Sequence, residues 1–105
     1  MDNDGRPVAW VTGGATGIGR ACARELGKAG YTVVISGRRQ AVLDEAREDL
    51  VADEIDVRTM ALDVADAAAV AEVAARIQDD FGRIDVLACS AGLNAPNRYW
   101  RDLTP

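Results

Sequence analysis

Thr12-Gly13-Gly14-Ala15-Thr16-Gly17-Ile18-Gly19 is the segment whose residue types and spacing best fit a chemical task. It lies between a short apolar run, Pro7 to Thr12, and a helical pattern that begins at Gly17. Glycines at such a turn let the backbone bend sharply, let a phosphate approach the chain, and let the helix pack close to the strand. The free N–H groups and positive dipole end of the helix then face the anion. Two phosphate motifs can be told apart here. Gly14 and Gly19 have the spacing of a Walker A loop, but Arg20 and Ala21 follow where Lys and Ser or Thr would stand. The Lys that reaches the β- and γ-phosphates and the hydroxyl that holds Mg²⁺ are both missing, which argues against a P-loop NTPase. The common pattern G-x-G-x-x-G is absent as well, because the glycines run as Gly13, Gly17 and Gly19.

The turn needs a strand before it and a helix after it, and the sequence supplies both. From Gly17 to Ala29, Ile18, Cys22, Leu26 and Ala29 recur at a spacing that predicts one buried helical face. Gly30 follows as the expected C′ residue, with Lys28 in the last turn. Thr32 to Ser36 is rich in β-branched residues and bounded by Gly30 and Gly37, so it predicts a second strand. A helix over Gln40 to Ala52 places Leu43, Ala46 and Leu50 together, and Val57 to Leu62 makes a third strand. Asp66 stands where an N-cap belongs, ahead of a stripe of Val70, Val73, Ile77 and Phe81 that ends at Gly82. Ile84 to Cys89 closes the series. The order βαβαβαβ predicts an α/β fold with right-handed crossovers and a parallel sheet covered on both faces.

Composition narrows the field further. The chain has 105 residues, 49% of them hydrophobic, and a formal net charge of −5. It is long enough for one domain, and its acidic balance offers no excess to neutralise nucleic-acid phosphates. Histidine is absent, which excludes a Ser-His-Asp triad, a Cys-His nucleophile pair and any His-ligated metal site. Two cysteines are too few for a disulfide scaffold. Cys22 on its helical stripe and Cys89 at a strand end both read as small buried hydrophobes. The acidic start, Met1-Asp2-Asn3-Asp4, does not look like a secretory signal, and the longest apolar stretch, Ile84 to Leu93, is too short to span a membrane. A soluble cytoplasmic protein is the expectation.

The spacing T-G-x-x-x-G-I-G resembles the cofactor fingerprint of the short-chain dehydrogenase/reductase family. The resemblance extends along nearly the whole chain. Asp63-Val64, after the third strand, is similar to the family's adenine-contacting Asp. Cys89-Ser90-Ala91-Gly92, after the fourth, matches the N-N-A-G motif in part. Both asparagines of that motif are replaced, and Cys89 cannot supply the paired hydrogen bonds of an amide. The resemblance implies a Rossmann-type, doubly wound parallel sheet, of which these 105 residues are about half. It also implies a dinucleotide site at Gly13, Ala15, Thr16, Gly17, Ile18, Gly19, Asp63, Val64, Ser90, Ala91 and Gly92.

Dinucleotide folds choose between NAD and NADP at the end of the second strand, where an Asp or Glu binds the ribose 2′-OH. Here that position is Gly37, followed by Arg38 and Arg39. A guanidinium can pair a 2′-phosphate bidentately, so NADP is favoured over NAD, with Arg38 as the main contact. Arg39 reads instead as a residue that solvates the start of a helix. Thr16 stands where NADP-preferring relatives often carry a further basic residue.

The family moves a hydride between nicotinamide and an alcohol or carbonyl, using Y-x-x-x-K as its acid/base unit. The chain's one lysine is Lys28; Tyr31 is followed four residues on by Ile35, and Tyr99 by Leu103, so no catalytic residue is assigned. Leu103-Thr104-Pro105 resembles the opening of a fourth helix. The expectation is a single half-domain over residues 1–105, truncated before its catalytic segment, with the fourth strand left as an open edge. Tyr99, Trp100 and Asn94 fall in the loop after that strand, where a substrate could be reached; a packing or helix-entry role is the alternative, and it is the preferred one for Trp100. Homo-oligomers of the family's kind fit this reading. A stand-alone dinucleotide-binding module and a non-functional gene fragment are the alternatives.

Overall fold

The computed structural model describes residues 5–89 and, as backbone, 98–101. Along these run β1 (Val8–Thr12), α1 (Gly17–Lys28), β2 (Thr32–Gly37), α2 (Gln40–Ala52), β3 (Val57–Ala61), α3 (Ala67–Phe81), β4 (Val86–Cys89) and β5 (Arg98–Arg101). The sheet has the order β3-β2-β1-β4-β5. β1 pairs in parallel with β2 and β4, and β2 with β3. This is the expected Rossmann-type arrangement, with β1 at the centre and the chain crossing over it between β3 and β4.

The alternation of side chains along each strand explains why helices flank the sheet on both sides. Val11, Val33, Ile35 and Val57 join one core, which α2 completes with Leu43, Ala46 and Leu50 and α1 with Ala23. Val8, Trp10, Val34 and Met60 point the other way and join Val73 and Ile77 of α3 in a second core. Ile35, Leu43, Leu50 and Ile77 are fully buried, each contributing about 1.5–3 kcal/mol through removal from water. Asp66 caps α3 as expected, its Oδ1 accepting from Ala69 N–H at 3.1 Å.

Two expectations need correction. Ile18 heads the predicted apolar stripe of α1 but is 67% exposed; Gly19 and Ala23 are the residues that α1 buries, with Cys22 and Leu26 packed partly against the same core. Small residues win that face because they let the helix approach the strands closely. The fourth strand is also not an edge. β5 pairs with it antiparallel, Val86 standing opposite Arg101 and Cys89 opposite Arg98, so Tyr99 and Trp100 belong to a strand rather than a loop. The pairing satisfies backbone groups that β4 would otherwise present to solvent. Asn94 and the expected helix start at Leu103-Thr104-Pro105 lie outside the described residues.

Candidate functional site

The carboxyl ends of β1, β2 and β3 open into a cleft of about 520 Å³. Its first wall is the glycine-rich turn, through Gly13, Ala15 and Thr16. Here α1 comes so close to the turn that a Cβ on Gly19 would lie 1.9 Å from the Gly13 carbonyl oxygen, a distance only glycine avoids. Gly17 takes φ +53, the left-handed region that glycine enters without strain. The first helical bond of α1 runs from Arg20 N–H to Thr16 O at 3.2 Å, so the N–H groups of Gly17, Ile18 and Gly19 precede the hydrogen-bonded ladder. Thr16 is the N-cap residue, yet its side chain makes no capping bond, and the first turn holds no acidic residue. A helix end of this kind offers free N–H groups and the positive end of the helix dipole, the features that favour an anion. Arg20 braces the turn from behind, its Nε donating to Ala15 O at 2.9 Å while its guanidinium lies 3.5 Å from Asp49 of α2.

Gly37, Arg38 and Arg39 at the end of β2 form the second wall, with Val42 one turn into α2. Among the described residues, neither arginine pairs with a carboxylate. Leu62, Asp63, Val64 and Ala65 make the third wall beyond β3. Asp63 is held by its own turn, one carboxylate oxygen accepting from Ala65 N–H at 2.9 Å. Val64 is 43% exposed, which leaves an apolar surface beside that carboxylate. The walls are tied together by backbone bonds: Gly13 N–H donates to Ser36 O and Leu62 N–H to Gly37 O, both at 2.8 Å.

The cleft brings together six of the residues singled out from sequence: Gly13, Ala15, Thr16, Arg38, Asp63 and Val64. Gly17 and Gly19 shape the turn without lining the cleft. Ile18 faces a separate shallow groove on the outside of α1 with Ala21, Cys22 and Leu26. Ser90, Ala91 and Gly92 lie outside the described residues. Arg39 lines the cleft beside Arg38, where sequence reasoning gave it only a solvating role. Val42, Leu62 and Ala65 were missed. Leu62 and Ala65 carry a weak signal, since they flank Asp63-Val64, but Val42 could be found only once α2 was placed. Cys22 and Cys89 are both half-buried rather than fully enclosed.

A strand, a glycine turn and an open helix end at the carboxyl side of a parallel sheet define a doubly wound α/β protein of the Rossmann class. The family model described as short chain dehydrogenase matches residues 7–103, and the chain belongs to that family. It is 39% identical over 102 residues to gluconate 5-dehydrogenase of Gluconobacter oxydans, covering 90% of this chain and 40% of that protein. It is 37% identical over 86 residues to sulfoacetaldehyde reductase 2 of Chromohalobacter salexigens, covering 82% of this chain and 34% of that protein. Among solved structures it superposes on an actinorhodin polyketide ketoreductase crystallised with NADPH, with a TM-score of 0.81 and 30% identity over 87% of this chain and 35% of the other. A metagenomic short-chain oxidoreductase in complex with NADP gives a TM-score of 0.74 at 37% identity, covering 77% of this chain and 37% of the other. The chain therefore spans about a third to two fifths of the length of these relatives. No helix among the described residues is long and apolar enough to cross a membrane.

Proposed function

We propose that this chain is the cofactor-binding part of an NADP-dependent oxidoreductase that moves hydride between nicotinamide and an alcohol or carbonyl. The observation that carries the reading is the end of β2, where Gly37 leaves no carboxylate and Arg38 and Arg39 line the cleft. In this reading the N–H groups that open α1 hold the pyrophosphate, and Arg38, with Arg39 beside it, pairs the 2′-phosphate. Asp63 and Val64 take the adenine, one by hydrogen bonding and the other by apolar contact. The two solved relatives named above are described with NADPH and with NADP, which supports the same choice.

The bound nicotinamide would supply the hydride chemistry; the residues described here bind and orient the dinucleotide. The family's acid/base unit Y-x-x-x-K does not occur among the 105 residues, so this reading assigns them cofactor binding and no proton transfer. Fluorescence titration of the purified protein with NADPH and NADH tests the reading. It expects NADPH to bind at least about tenfold more tightly, the effect of one charge-assisted contact of roughly 1.4 kcal/mol or more. Equal affinity for the two overturns the NADP assignment.

A stand-alone binding module draws support from one observation, the pairing of β4 with β5 inside these same residues. Sedimentation of the 105-residue chain during NADPH titration separates the two readings. A folded species of defined size that binds NADPH favours the module, and an aggregate counts against it.

A further inference from the structure

Trp10 is the one aromatic residue of β1. It stands in the middle of β1, 3% exposed, within the core that α3 covers. Its indole N–H nevertheless has a specific partner: Nε1 donates to Ser36 Oγ at 2.9 Å, and both groups are buried. In the parallel ladder Trp10 lies opposite Val34 and Thr12 opposite Ser36, so the indole reaches diagonally toward the carboxyl end of the sheet. Ser36 directly precedes the second wall of the cleft, and its backbone ties that wall to the glycine turn. Its carbonyl accepts from Gly13 N–H, and the carbonyl of the next residue, Gly37, accepts from Leu62 N–H. Arg38 comes directly after this corner.

We infer that Trp10 is a positioning residue which, through Ser36, sets the spacing between the glycine turn and Arg38 and so tunes selectivity for a 2′-phosphorylated dinucleotide. The inference rests on the cofactor reading above. Pairing between a guanidinium and a phosphate is short-range and directional, so it depends on how firmly the two walls are held apart. A 2′-hydroxyl carries no charge for the guanidinium to pair, so NADH depends less on that spacing. The indole bond pins the Ser36 side chain, and the Ser36 backbone in turn carries the bond to the turn.

Trp10→Phe keeps the aromatic bulk and removes the donor, while Ser36→Ala removes the acceptor from the other side. With purified protein, titration of each variant with NADPH and with NADH is compared with wild type. Either single variant is expected to weaken NADPH binding by about tenfold while changing NADH binding by no more than about twofold. The double variant is expected to be no weaker than the single ones, because both then break one shared contact. Parallel losses for the two dinucleotides, or a fall in stability to urea with an unchanged NADPH-to-NADH ratio, overturn the inference and leave the cofactor reading intact. Wild-type protein that binds neither dinucleotide overturns both. Should Trp10→Phe fail to fold, Ser36→Ala carries the same comparison alone.

Discussion

The two ends of the parallel sheet are built on opposite plans. At the amino ends of the strands, charges are paired and bound to backbone. Asp56, just before β3, accepts from Thr32 Oγ1 at 3.0 Å, from Arg58 Nε at 3.0 Å and from Arg6 at 3.2 Å. Asp85, just before β4, accepts from Val8 N–H at 2.7 Å and from both ends of the Arg83 fork at 2.8 Å. Arg58 also lies over the Phe81 ring, 5.3 Å from its centre. At the carboxyl ends, by contrast, Arg38 and Arg39 have no carboxylate partner among the described residues, and α1 begins without a side-chain cap. At one end Asp56 and Asp85 hold strands together; at the other Asp63 and Asp66 are engaged in turns and a helix cap, while Arg38 and Arg39 line the cleft. These two arginines therefore lie on the same side of the sheet as the cleft proposed above to hold the dinucleotide.

Substitutions at the two ends should therefore separate stability from binding. Gly19→Ala has the largest expected effect, because its Cβ would press on backbone that cannot yield without moving the turn. Overpacking of this kind costs up to about 3 kcal/mol of stability in urea, and displacement of the turn from the cleft should lower NADPH affinity by about 100-fold in a titration. Asp85→Ala comes next. It strips the partner from Val8 N–H and from Arg83, and should lower the unfolding free energy in urea by about 2 kcal/mol. The NADPH-to-NADH preference should stay as it was; a changed preference would break the division between the two ends.

Arg38→Ala should do the reverse. NADPH affinity is expected to drop about tenfold with NADH affinity and urea stability close to wild type. If Arg39→Ala instead produces that selective loss, the 2′-phosphate contact belongs to the neighbouring arginine.

The smallest effect is a dependence on acid. Burial on its own would raise the Asp56 pKa, but bonds from Arg58 and Thr32 and the nearby arginine charges outweigh it, and the carboxyl is held below its ordinary 3.8. The Arg83 bond does the same for Asp85 against a smaller opposing effect of burial. A carboxyl with a depressed folded-state pKa stabilises the protein above its unfolded pKa, and that contribution is lost as pH falls through 3.8 toward the folded value. Unfolding free energy measured from neutral pH downward should fall through this window. Asp56→Asn and Asp85→Asn should each flatten the fall, while Arg38→Ala should leave its slope alone.

Much of this molecule is determined by the sequence alone, because the responsible forces act between near neighbours. Alternating β-branched runs, the spacing of Leu43, Ala46 and Leu50, and the Asp66 cap specify strands and helices locally. The spacing of Gly13, Gly17 and Gly19 marks the turn for the same reason. Tertiary structure decided what periodicity cannot express. Helical spacing offered Ile18, Cys22 and Leu26 as the buried face of α1, but closeness of approach to the sheet selected Gly19 and Ala23 and left Ile18 outside. Val42 enters the cleft only because α2 folds back over the sheet, and Trp10 meets Ser36 across 26 residues only because β1 and β2 lie side by side in that register. The addition of β5 to β4 likewise depends on unpaired backbone groups finding one another across the sheet. Local chemistry thus chose the elements, and the packing of strand beside strand chose which of their side chains meet.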